Sequence, residues 1–323
     1  MRVTAAGSLP GDDFRGALSA MAEVLPEILP LPELPARGSS SGMVGRALGL
    51  VNGLGFDLQP AGWRLVPGSS PEHRRAVAQW RNDLDDTEEL LQGFDGVLKV
   101  GVAGPWTLAG SVERPRGDRL LADHGARREL AEALAEGTGD LLAELRRRVP
   151  AATVLLQLDE PLLVAVADGS LPTASGFSRH RAVDGPELAA ALRPLADGAL
   201  LHCCAPGDWL PTAGAAGFAG AAIDTRLFTS TAALDRLGEW LEAGHQLVAG
   251  MVDTTRSEVQ GADALVTEAL RILRPLELDP ESLTHRLVLG TGCGLAGLQL
   301  RDVVPQLEAL RAAAPLLEEQ LAR

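Results

Sequence analysis

Residues 198–204 read Gly198-Ala199-Leu200-Leu201-His202-Cys203-Cys204, an apolar run that stops on an imidazole and two thiols. A short, unbroken apolar stretch bounded by polar or turn residues is how a strand covered on both faces looks in sequence. The same shape recurs along the chain, with strand ends at Ala5-Ala6, Val102, Leu158, Leu201, Ile223, Val252 and Leu289. Between these runs lie segments of helical period at residues 118–148, 206–214, 231–243, 257–273 and 298–321. Alternation of this kind builds βα units around a parallel sheet. With an eighth strand expected before residue 70, the chain reads as α/β, a single (β/α)8 TIM barrel with its site at the C-terminal face of the strands. Barrels of this sort often run beyond the usual single-domain length, and no internal repeat or low-complexity linker divides the sequence, so residues 1–323 are taken as one domain. Residues 26–42, rich in Pro, Gly and Ser, read as a long loop after the first strand and helix, a wall of the site.

In such a barrel the chemistry sits where the strands end, and the chemically active side chains of this sequence cluster there. Gly7-Ser8-Leu9-Pro10 follows the first strand, Gly104-Pro105-Trp106-Thr107 the strand that carries Lys99, and Asp159-Glu160-Pro161 the next. His202 with Cys204, then Asp224, Asp253 and Cys293, close the following four. Residues i and i+2 of a strand face one side, so His202 and Cys204 can share a ligand while Cys203 points away. Zinc suits the pair, since it takes thiolate at about 2.3 Å and imidazole at about 2.0 Å in a tetrahedron. Cys293 is the candidate third ligand and Asp224 the candidate carboxylate. A lone His-x-Cys carries little by itself, because buried cysteine commonly serves as a small hydrophobe.

Composition excludes several classes of function. With 43 acidic against 29 basic residues the formal net charge is -14, which repels nucleic acid and anionic lipid. The chain has no tyrosine and 3% aromatic residues, so no stacking platform for bases is present. Three cysteines, two of them adjacent, make no disulfide framework, and no signal peptide or spanning segment is visible; a cytoplasmic location is expected. Lys99 is the one lysine, so any Schiff-base chemistry would run through it, inside the apolar residues 96–102.

Some of these features also have structural explanations. Thr255-Arg256-Ser257-Glu258 fits a capping box ahead of a helix starting near Val259. Ser8 and Thr107 serve either the site or their own turns. Cys203 is assigned to packing, and His73, His124, His180, His245 and His285 to solvated or capping positions. Arg146-Arg147-Arg148 suits the dipole at a helix end.

Taken in order, the motifs resemble the carboxyl-terminal catalytic barrel of the cobalamin-independent methionine synthases, in the group that also holds the uroporphyrinogen decarboxylase-like barrels. Gly7-Ser8-Leu9-Pro10 is similar to that family's Gly-Ser-Phe-Pro, and Gly104-Pro105-Trp106-Thr107 to its Gly-Pro-x-Thr turn. Asp159-Glu160-Pro161 matches its Asp-Glu-Pro, and His202-x-Cys204 with Cys293-Gly294-Leu295 its zinc motifs. The resemblance spans Gly7 to Gly297 and implies a zinc-dependent methyltransferase that passes a methyl group to a thiol, homocysteine giving methionine. It implies His202, Cys204 and Cys293 as zinc ligands, with Asp224 where the family usually has Glu. Asp159 would hold the substrate's amino group, Ser8 its carboxylate end, and Glu160 and Thr107 would support them. Asp253 falls at the family's Asp-x-His, but Thr255 replaces the histidine associated with protonating the departing methyl carrier, and a threonine donates no proton near neutral pH. A donor other than a polyglutamyl folate, such as a corrinoid protein, is then expected. Two alternatives stand beside this reading: a metal-independent decarboxylase of the same barrel group, and a zinc-binding homologue without turnover that acts as a binding or methyl-relay partner.

Overall fold

The computed structural model describes residues 1–322. Its strands, in chain order, are β1 (Arg2–Val3), β2 (Ile28–Pro30), β3 (Gly55–Gln59), β4 (Gly62–Val66), β5 (Val97–Ala103), β6 (Thr153–Asp159), β7 (Leu200–Cys203), β8 (Gly220–Asp224), β9 (Gln246–Val252) and β10 (Leu287–Thr291). Eight of them form one sheet in the order β1-β10-β9-β8-β7-β6-β5-β2, with every pairing parallel, and β3 and β4 make a separate antiparallel hairpin. The sheet curls until its two ends meet just beyond β1 and β2. There Ser8 bridges Glu33, Glu33 N donates to Gly7 O at 3.1 Å, and Leu9 N donates to Glu33 O at 2.8 Å. The result is the expected (β/α)8 TIM barrel.

The strands are apolar on both faces because each is covered on both. Outward residues such as Leu98, Val100, Leu158 and Leu201 pack under the helices in the main core. At the amino-terminal end of the barrel Ile28, Leu200, Ala222, Val248 and Val288 form a second, smaller cluster, a layer contributed by alternate positions of five strands. Higher in the barrel the buried residues turn polar, with Lys99, Gln157, Asp159, His202 and Asp224. Helices of ordinary construction enclose this tube. Phe14–Val24 is capped by Asp13, Pro71–Leu90 by Ser70 and His124–Arg148 by Asp123, each side chain accepting from a first-turn N–H. None of the helices among the described residues is long and apolar enough to cross a membrane.

Three local expectations need correction. The eighth strand, β2, lies inside residues 26–42, a stretch read as loop. Its prolines hide it, yet Ile28, Leu29 and Pro30 pair in register with Val97, Leu98 and Lys99. The helix expected from residue 257 is Ala262–Leu273, with Gly261 at its cap, so Thr255 opens no capping box. Thr255 instead turns back, its N–H and hydroxyl both donating to Asp253 Oδ1, at 3.0 and 2.6 Å. Of the histidines read as solvated or capping, His73 and His180 are buried, and His73 binds Leu48 O and Ser69 Oγ through its two ring nitrogens. Cys203 is in the core as expected.

Candidate metal centre

Asp159 and His202 are register partners on the adjacent strands β6 and β7, and both side chains face the barrel interior. His202 Nδ1 therefore meets Asp159 Oδ1, at 2.7 Å. The carboxylate in turn accepts from Gln157 Nε2 at 2.8 Å, and Gln157 Oε1 accepts from the Lys99 ammonium, which also donates to Ala6 O at 3.0 Å. In the neutral imidazole this chain of hydrogen bonds places the ring proton on Nδ1, facing Asp159, and leaves Nε2 as the nitrogen that can ligate. That atom, His202 Nε2, is buried without a hydrogen-bond partner. Burial alone would lower the histidine pKa; the hydrogen bond and charge of Asp159 outweigh it, and the net shift is upward.

Two sulfurs complete the cluster. Cys204 lies just past β7 and Cys293 just past β10, and their Sγ atoms are 3.2 Å apart. One ligand atom from each of His202, Cys204 and Cys293 falls within 4.8 Å of the others, the one such metal-ligating group found among the described residues. Donation from Cys204 is the main cause that pulls the Cys293 thiol below the usual range against its burial, and nearby His202 helps. The same bond and burial push Cys204 upward. A buried, unpartnered imidazole nitrogen and two sulfurs are a donor set that fits zinc.

Asp224 does not join this group. It ends β8 facing inward, 3% exposed, but both its oxygens are taken by Arg226, with Nε to Oδ1 at 3.0 Å and an Nη to Oδ2 at 2.6 Å. Arg226 also pairs with Asp253 on its far side. Burial, which raises the Asp253 pKa, is outweighed by the hydroxyl and N–H of Thr255 and by Arg226, so this carboxyl lies below its ordinary range.

Glu160 and Thr107 bind each other. The Glu160 carboxylate, fully buried, accepts from Trp106 N at 2.9 Å, Thr107 N at 2.7 Å and Thr107 Oγ1 at 2.6 Å, which places an anion at the start of helix Pro105–Ser111. Burial pushes its pKa up to about 7 against these donors. Gly104 is glycine because a Cβ there would collide with this carboxylate. The motifs Gly-Pro-Trp-Thr and Asp-Glu-Pro are in this respect two halves of one clamp. Ser8 belongs to the opposite wall: Leu295 N donates to Ser8 O at 2.8 Å, and a Cβ on Gly294 would strike the Ser8 hydroxyl.

Sequence reasoning passed over four residues at the mouth. Glu33, beyond β2, projects beside Gly7 and Gly101, where added Cβ atoms would crowd it. Burial pushes its carboxyl up to about 7, with Arg46 pulling down and Asp159 pushing up. Arg46 donates to Gly101 O at 2.7 Å, lies over the Trp80 ring at 3.8 Å, and keeps one guanidinium nitrogen buried without a partner. Gln157 and Arg226 complete the set. Gln157 stands two residues from Asp159 on β6, a same-face spacing that could have flagged it. Cavities of 410 and 320 Å³ open among the outer loops and helices, and none of His202, Cys204 and Cys293 lines either.

No protein-family model matches the sequence. No curated protein matches it. Among solved structures the chain is similar to a B12-independent methionine synthase from Shewanella sp. W3-18-1 in complex with selenomethionine, with TM-score 0.58 and 15% identity over 99% of this chain and 98% of that one. An engineered protein aligns with TM-score 0.39 and 13% identity over 97% of this chain and 76% of that one, a likeness too low to carry an argument. The first similarity shows a shared fold.

Proposed function

We propose that the protein is a zinc-dependent methyltransferase that methylates a thiol, most simply homocysteine to give methionine. One observation carries this reading: a buried, partnerless His202 Nε2 grouped with two sulfurs at the carboxyl end of a barrel. One solved structure of similar fold is a B12-independent methionine synthase in complex with selenomethionine, the selenium counterpart of the expected product. His202, Cys204 and Cys293 would hold the metal, and zinc there supplies a centre at which a substrate thiol sheds its proton and stays nucleophilic at neutral pH.

The remaining residues bind and orient. Asp159 fixes the imidazole through Nδ1, and its second oxygen and Glu33 border the same bare face of Gly101, where a substrate ammonium finds two carboxylates. Ser8 stands across the mouth, beside the Cys293 loop, for the substrate's carboxylate end. Glu160 and Thr107 shape the wall behind Asp159. Asp253, held ionised by Thr255 and Arg226, gives the reaction a negative charge and no proton. Methyl transfer makes the new S–C bond while the donor leaves with its electron pair. A donor whose leaving group needs no protonation suits this mouth, so a methylated corrinoid protein is favoured over methylfolate. The thiols of the site suit a reducing cytoplasm.

Metal analysis of purified protein tests the reading. About one zinc per chain, lost in Cys204→Ser and in Cys293→Ser, is expected of a site with three protein ligands; a metal-free wild type would point to the decarboxylase alternative. Incubation with homocysteine and either methylcobalamin or methylfolate then reads turnover. Zinc bound without methyl transfer from either would favour the non-catalytic alternative, for which the closed Arg226–Asp253–Thr255 arrangement is the supporting observation.

A further inference from the structure

The side of the mouth formed by β8 and β9 raises a question of its own. Asp224 ends its strand facing inward, and its carboxyl carbon lies so close to Gly292 that a Cβ on that glycine would stand 3.0 Å from it. Gly292 is the residue before Cys293, so a buried carboxylate sits one residue from a proposed ligand without joining it. Three N–H groups of one residue bind it. The Arg226 backbone N, its Nε and an Nη reach the two Asp224 oxygens at 3.1, 3.0 and 2.6 Å. Arg226 is anchored on its other side by Asp253, itself tied down by the Thr255 N–H and hydroxyl. The guanidinium is thus held between Asp224 and Asp253.

We propose that Arg226 is a positioning residue that restrains Asp224 from the metal and so keeps one coordination place for the thiol. The inference rests on the zinc reading above. A tetrahedral zinc with three protein ligands has one place left for substrate, and a fourth protein ligand competes for that place. His202, Cys204 and Cys293 make three; Asp224 would be the fourth. Without Arg226, a buried Asp224 has lost its counter-charge, and a divalent cation nearby becomes its best partner.

The test is a double-mutant cycle on the full chain, with Arg226→Gln, Asp224→Asn and both together. Zinc affinity is read by competition with a chromophoric chelator. Thiol binding is read by titrating the cobalt-substituted proteins with 2-mercaptoethanol and following thiolate-to-cobalt charge transfer. R226Q is expected to bind zinc about 10-fold more tightly and the thiol about 10-fold more weakly, the lower end of what neighbours of metal ligands ordinarily change. D224N alone leaves both as in wild type, and the double variant returns to wild type. An ion pair of merely structural value predicts the opposite sign, weaker zinc binding in R226Q. That result, an unchanged R226Q, or loss of zinc in D224N alone would overturn the proposal while leaving the zinc reading intact. A wild type that binds no zinc would remove both. If R226Q loses its cooperative unfolding transition, Arg226→Lys serves instead, since an ammonium cannot span both oxygens; it is expected to shift both affinities in the same directions by less, and a shift the other way refutes the idea.

Discussion

The two sides of the barrel mouth use the same residue type to opposite ends. On the β6–β7 side Asp159 binds the His202 imidazole and sits at the end of a hydrogen-bond chain from Lys99 through Gln157, and the far ring nitrogen, His202 Nε2, is left without a hydrogen-bond partner. On the β8–β9 side Asp224 and Asp253 share Arg226, and their hydrogen bonds close on one another. Asp159 and Asp224 each end a strand and are buried; the neighbour decides the role. An imidazole partner passes the carboxylate's influence onward to a second nitrogen. A guanidinium partner absorbs it, because arginine has donors only and stays charged.

The sharpest way to break this contrast is Asp159→Asn. If Asp159 works through His202, the variant folds normally but binds zinc about 10- to 100-fold more weakly, the usual penalty for losing the carboxylate behind a ligating histidine. Competition with a chelator measures it, and an unchanged affinity would remove the distinction between the two sides. A smaller effect is expected from Glu33→Gln, read by urea unfolding across pH. The folded protein holds the Glu33 proton up to about 7, whereas an ordinary glutamate releases it near 4.5. A raised carboxyl pKa contributes stability at low pH that fades as pH rises through this window. Wild type should therefore lose stability relative to E33Q between these two values and run parallel to it above them; parallel curves throughout would show that Glu33 ionises normally. The smallest effect belongs to Thr255→Val. It removes one hydroxyl donor from Asp253 but leaves Arg226 in place, so about 0.5–1.5 kcal/mol in thermal or urea unfolding is expected, with zinc affinity unchanged. A loss of zinc in T255V would mean that the arginine side supports the metal after all.

How much of this was legible in the sequence follows from the same geometry. Strand ends are visible because apolar runs stop abruptly on polar residues, and His202, Cys204 and Cys293 sit at such stops. The second strand escaped because proline reads as loop, although Pro30 needs no N–H toward a neighbour it does not have to satisfy at the edge of the seam. The capping box misled because a Thr-x-x-Glu pattern says nothing of an aspartate two residues earlier that captures the same threonine first. The Asp159–His202 contact could not be seen at all. It arises from the register of two strands whose residues stand 43 apart in the chain.

The short bridge at Ser8 and Glu33 is the clasp of the hoop. One edge of that clasp is fastened by Leu295 N to the turn that bears Cys293, and the other lies beside Lys99 through Leu31 N, which donates to Lys99 O at 2.7 Å. Main-chain hydrogen bonds therefore tie together segments from residues 7–9, 31–33, 99 and 295. The opening loop is thus joined to the turn that carries a proposed ligand sulfur by a main-chain link, Leu295 N to Ser8 O, rather than through the packed interior.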